Sequence, residues 1–199
     1  MDSTHSVERQ WRTWAEEVKI PPQKVLEIAH GRRTIEVVQL MAPHLDAEEE
    51  VRKIEEKEAG DSDGVKVMPG AAALLAAIPS GKWCVVTSGT KYLAASRLRD
   101  ARLPVPKILI SADDVREGKP HPEPYLRGAE GLRANPAECL VIEDAPQGIQ
   151  AARAAGMKVI GLTTTYAASE LAEAHAIVEA LEQLTVRNGP SGKLQITIR

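Results

Sequence analysis

LVIEDAPQGIQAARAAGMKVIGL, residues 140–162, is the stretch whose reading decides the fold. An apolar run at 140–142 ends in two carboxylates, Glu143 and Asp144. Ala145-Pro146-Gln147-Gly148 then turns the chain into a helix expected over 147–155, and a second, largely β-branched run follows at 159–162. Neither run alternates with polar residues, so both faces of each strand are expected to be buried, as in parallel sheets. Working outward, similar runs stand at 83–86 and 107–110, with helices expected over 71–77, 92–101 and 123–132 between and around them. The class is therefore α/β, with a doubly wound parallel sheet. Past 162, residues 184–186 and 194–198, separated by Arg187-Asn188-Gly189 and Ser191-Gly192, predict a hairpin at a sheet edge.

The first sixty residues read differently, as helices only. Val7, Trp11, Trp14, Ala15 and Val18 recur at helical spacing, and Pro21-Pro22 interrupts the pattern. Helices are expected over 22–30, closed by Gly31; over 34–42, ended by Pro43; and over 47–59, capped by Asp46 and ended by Gly60. Residues 61–70 are turn-rich, so the chain divides into a helical unit at 1–67 and an α/β unit at 68–199.

The totals exclude several classes. With 199 residues, 43% hydrophobic and 27% charged, the chain is neither disordered nor a coiled coil. The net charge of -3 comes from 25 basic and 28 acidic residues mixed along the sequence, which leaves no footprint for nucleic acid. No apolar stretch reaches the roughly 18 to 20 residues that span a bilayer. Cys84 and Cys139 lie in apolar runs and make no disulfide framework, so a reducing compartment, the cytoplasm, is expected. His30 and His121 lack ligand spacing, and the run Glu48 to Glu50 reads as a solvated helix face.

Ligands of open α/β sheets bind beyond the carboxyl ends of the strands. After the run at 83–86 comes Thr87-Ser88-Gly89-Thr90, where a hydroxyl and a glycine at a strand-to-helix turn offer donors to an anion such as phosphate. After the run at 140–142, Glu143 and Asp144 are oxygen ligands of the kind that hold Mg2+. Between them, Lys119 in GKPHPEP is held in a proline-stiffened loop, placed to neutralise phosphoryl oxygens.

These three segments, in this order, resemble motifs II to IV of the haloacid dehalogenase-like (HAD) hydrolase superfamily. The strings AHGRRT, SGT, SADDVREGKPHPEPYL and IEDAPQGI are most similar to its glycerol-phosphate and 2-deoxyglucose-6-phosphate phosphatase branch. The resemblance implies a Rossmann-like core under an α-helical cap and a small phosphorylated sugar or polyol as substrate. It implies catalytic and phosphate-binding roles for Ser88 and Lys119, with Gly89 as a further phosphate donor. Asp144 would hold Mg2+, with Glu143 supporting it, and Gly31 and Arg33 in the cap would face the leaving group.

One part of the family pattern is missing: no strand ending in Asp-x-Asp-Gly-Thr stands in the sequence, and Asp2 aligns after it rather than within it. The resemblance makes that strand the centre of the sheet and the source of the nucleophile and general acid. A truncated and inactive phosphatase is the first expectation, with a gap in the sheet that a partner or self-association covers. The alternatives are a non-catalytic protein that binds a phosphate ligand or a partner, and a phosphoglucomutase-like relative. A receiver-like signalling domain fits poorly, since it has no place for the helical unit or the GKPHPEP loop.

Overall fold

A computed structural model describes all residues except 62, 64, 190 and 191. Four helices open the chain: α1 (Thr4–Glu17), α2 (Pro22–Ala29), α3 (Thr34–Met41) and α4 (Ala47–Gly60). Their apolar stripes close on one another around Trp11, Trp14, Val25, Val37, Val38 and Ile54, all buried. The two tryptophan rings meet edge to face at 5.5 Å, and the Trp14 indole N–H donates to Glu50 at 2.8 Å, so that ring buries no unsatisfied polar atom. Asp46 caps α4 by accepting from the amides of Glu48 and Glu49.

The rest alternates helices and strands: α5 (Ala71–Ala77), β1 (Val85–Val86), α6 (Lys91–Asp100), β2 (Leu109–Ile110), α7 (Glu123–Leu132), β3 (Leu140–Glu143), α8 (Pro146–Ala154), β4 (Lys158–Leu162), β5 (Ala176–Val178), β6 (Leu184–Asn188) and β7 (Leu194–Ile198). The parallel sheet stands in two halves, β1-β2 and β3-β4-β5, with no pairing between β1 and β3 among the described residues. This is the expected α/β fold with its central strand absent. In β1 the amides of Val85 and Thr87 are turned to residues 108 and 110 of the neighbouring strand segment. Alternation then points the peptide groups of Val86 into the gap, and the same reasoning from Lys158 N–H on Cys139 C=O points those of Ile142 into it from the other side.

The structure departs from the sequence reading in two places, and the gap explains the first. Strands expected over 83–86 and 107–110 are only two residues long and half-buried, whereas β4, paired on both edges, is almost fully buried. A strand with one empty edge loses the ladder that would extend it. The C-terminal hairpin forms as an antiparallel pair, but as a sheet of its own rather than at the edge of the parallel one. It packs Leu184, Val186 and Ile196 against Leu74 of α5 and Ile160 of β4; Ser191 of the expected turn lies outside the described residues. Cys84 and Cys139 are free thiols pushed up by burial, Cys84 to about 11, as expected of small packed hydrophobes.

The helical unit is tied to the α/β unit through α4 and α6. Glu58 pairs with Arg97, which also donates to Ser3, and Glu55 accepts from the hydroxyls of Thr34 and Thr90. No helix among the described residues is long and apolar enough to cross a membrane.

Candidate active site

A cavity of about 450 Å³ opens where the gap in the sheet meets the helical unit. Val85, Val86, Ile142 and Leu162 wall its apolar part; Ser88, Gly89, Lys119, Glu143 and Asp144 line its polar end, with His30, Gly31 and Arg32 from the loop between α2 and α3 above them. Ser88, Lys119 and Asp144, expected from three separate loops, thus share one space.

The turn carrying Ser88 is shaped by its neighbours. Thr87 Oγ1 accepts from the amide of Gly89 at 3.2 Å, and Thr90 caps α6 by accepting from the amide of Leu93. Ser88 is left to reach outward, and its hydroxyl donates to the Gly31 carbonyl at 2.8 Å. Gly31 can make that approach because its φ is +82°, a backbone that L side chains rarely adopt, and because a Cβ there would stand 3.2 Å from Gln147 Oε1 and 3.4 Å from Ala145 Cβ.

Lys119 and Glu143 form a buried ion pair, 7% and 8% exposed. The Tyr125 hydroxyl donates to Glu143 Oε1 at 2.9 Å, and the Lys119 ammonium lies 5.2 Å from the centre of the Tyr125 ring. The other oxygen, Oε2, accepts from the amides of Asp144 and Ala145 at 2.7 and 2.9 Å. Burial alone would raise the carboxyl of Glu143, but the Lys119 charge and these donors outweigh it and hold it below the usual range. Tyr125 is pushed well above 10 by burial and by Glu143, so it stays a donor.

Both oxygens of Glu143 are engaged, by Lys119, Tyr125 and two amides, so in this structure it anchors the lysine. Asp144 has more freedom: Thr165 and Thr164 donate to its Oδ2 at 2.7 and 3.3 Å, while burial and Glu143 raise it above the usual carboxylate range. Among the described residues no group of three or more His, Cys, Asp or Glu could hold a metal ion. The donors present supply one carboxylate of a Mg2+ site, Asp144, and not the set that such an ion needs.

Arg33 is not where the resemblance puts it. Its guanidinium pairs with Glu36 at 2.7 Å and donates to the carbonyls of Val115 and Arg116. It clamps the loop that leads to Lys119 and does not line the cavity, which Arg32 does. The nearest thing to the missing motif, Asp61 and Asp63, follows α4 rather than a strand, and Asp61 is held by Arg9 at 2.7 Å; neither lines the cavity.

Four residues at the site escape the sequence reading: Arg32, Tyr125, Thr164 and Thr165. The strand-end rule would have found Thr165, since Thr163-Thr164-Thr165 follows β4 directly. Tyr125 announces itself only as a phenol next to a proline-rich loop.

Comparison with known proteins places this geometry in context. Residues 2–156 match the family described as haloacid dehalogenase-like hydrolase. The chain is 38% identical over 204 residues to hexitol phosphatase A of Escherichia coli, covering 98% of this chain and 93% of that protein. It is 34% identical over 217 residues to 2-deoxyglucose-6-phosphate phosphatase 1 of Saccharomyces cerevisiae, covering 96% and 88%. Among solved structures, β-phosphoglucomutase of Clostridium difficile superposes with a TM-score of 0.78 at 26% identity, over 92% of this chain and 87% of that one.

Proposed function

We propose, because this chain belongs to the haloacid dehalogenase-like hydrolase family, that its cavity takes the phosphate ester of a small sugar or polyol. The observation that carries the reading is the meeting of a strand-end hydroxyl, a buried ammonium and a free carboxylate, Ser88, Lys119 and Asp144, around one space. Relatives named for hexitol and deoxyglucose phosphates support the substrate class.

In this reading Ser88 and the Gly89 amide bind the phosphoryl oxygens, and Ser88 exchanges the Gly31 carbonyl for the ligand. Lys119, held in place by Glu143 and Tyr125, sets a fixed positive charge beside the phosphoryl group, which costs no reorganisation at the moment of reaction. Residues 1–67 act as a cap over the α/β unit at 68–199, Gly31 closes on the phosphate loop, and the protein works in the cytoplasm.

No residue lining the cavity is an Asp-x-Asp-Gly-Thr nucleophile. We therefore read residues 1–199 as a binding scaffold whose covalent step needs an added strand between β1 and β3. Two proteins test this in parallel, the 199-residue chain and the same chain with an apolar strand ending in Asp-x-Asp-Gly-Thr joined ahead of Met1, each given glycerol phosphate and hexitol phosphates with Mg2+. The first should release phosphate no faster than its Lys119→Ala variant, and the second should turn over. Robust turnover by the first overturns the scaffold reading; none by the second overturns the phosphatase reading.

A further inference from the structure

The charges around the cavity are answered unevenly. Arg97 pairs with Glu58, Lys119 with Glu143, and His30 stands 3.6 Å from Glu8. Arg32 differs: its Nε is buried without a hydrogen-bond partner, and no carboxylate among the described residues lies within ion-pair distance of its guanidinium. The Nε of Arg97 is also unpartnered, but Glu58 answers that side chain's charge. Arg32 is thus the one arginine or lysine lining the cavity whose charge no described carboxylate balances.

Its position gives the unanswered charge a use. Arg32 follows Gly31, whose carbonyl receives the Ser88 hydroxyl, so the guanidinium is carried on the loop that touches the phosphate turn. Asp144 also lines the space; no cation among the described residues stands within ion-pair distance of it, although Lys119 and the Met1 amine act on it from farther off. Beside Lys119, whose charge Glu143 shares, and the buried Met1 amine, Arg32 gives a phosphate dianion entering this space a further cation. A guanidinium is suited to that task, since its planar fork of donors matches two phosphoryl oxygens at once.

We propose that Arg32, and not Arg33, is the residue of the helical unit that binds the substrate's phosphoryl group. The proposal rests on the phosphate-ester reading above, and adds to it the residue that draws the anion in. The buried Nε of Arg32, left without a partner, also destabilises the empty protein, so binding and stability should respond to removal of the side chain in opposite directions. A merely structural arginine would lower both.

The test is calorimetric titration of the 199-residue chain with inorganic phosphate and with glycerol 1-phosphate, alongside urea unfolding. Arg32→Gln should weaken both ligands roughly ten- to hundredfold and leave the unfolding midpoint equal or higher. Arg12→Gln, the same charge change on α1 away from the cavity, should leave affinity within about twofold. Arg32→Lys keeps the charge without the fork, should lie between, and carries the test if the glutamine variant does not fold. Unchanged affinity in Arg32→Gln, or lost affinity together with a lowered midpoint, overturns the proposal while the phosphate site stands. If the unsubstituted chain binds neither ligand, the phosphate-site reading falls and this proposal with it.

Discussion

Replacing Lys119 by methionine leaves Glu143 buried at 8% exposure with no cation beside it, while the Tyr125 hydroxyl and the amides of Asp144 and Ala145 stay in place. Breaking a buried pair in this way costs about 3–5 kcal/mol. The three remaining donors put the cost at the lower end, about 3 kcal/mol, or roughly 6–12 °C in Tm for a chain of this size. The sign with pH follows from Glu143. In the unsubstituted protein its carboxyl is held below the usual range, so its contribution is present above that range and is lost as pH falls through the lowered value. In the variant, burial dominates and raises the carboxyl, so the penalty is present at neutral pH and is relieved on acidification. Urea unfolding at pH 7 and near pH 4 should therefore show a deficit that shrinks with acid, and Lys119→Met/Glu143→Gln should recover most of it at pH 7. A single variant within about 0.5 kcal/mol of the parent, or a double variant no better than the single, would refute the pairing as the support of this site.

Further outcomes follow from neighbouring residues. Gly148 lies in the first turn of α8, where alanine ordinarily stabilises by about 1 kcal/mol; here a Cβ would sit 2.0 Å from Glu143 Oε1, so Gly148→Ala should lower Tm instead, and a raised Tm would contradict that packing. Gly31→Ala should cost about 1–2 kcal/mol in chemical denaturation because φ is +82° there, and an unchanged midpoint would count against the left-handed turn. Glu55 is raised by burial, partly offset by the hydroxyls of Thr90 and Thr34, so its contribution is full at acid pH and is lost as pH rises through the raised value. Glu55→Gln should consequently unfold at a higher temperature than the parent at pH 7 and equal it near pH 4; the opposite order at pH 7 would show that the charged form is the stabilising one.

Much of this was legible in the sequence because it is written in local pattern. The four opening helices follow from residues such as Trp11, Trp14 and Val38 at helical spacing, and from Asp46 as a cap. Apolar runs without alternation placed β3 and β4. What could not be read is what depends on distant partners. Glu143 reads as a strand-end carboxylate, and only the fold shows Lys119, far away in the chain, on its oxygen. Arg32 and Arg33 are adjacent and chemically identical, and only the fold decides that one clamps the carbonyls of residues 115 and 116 while the other faces the cavity. The two-residue lengths of β1 and β2 likewise depend on an empty edge, which no local propensity encodes. β5 is three residues long, Ala176–Val178, too short to carry a periodicity of its own.

The account turns on one space being a phosphate site, and amide NMR of the 199-residue chain titrated with inorganic phosphate tests it directly. Saturable shifts at Ser88, Gly89, Gly31 and Asp144, lost in Ser88→Ala, are the predicted result. Shifts that never saturate, or that gather on exposed lysines while these four amides stay still, would contradict it.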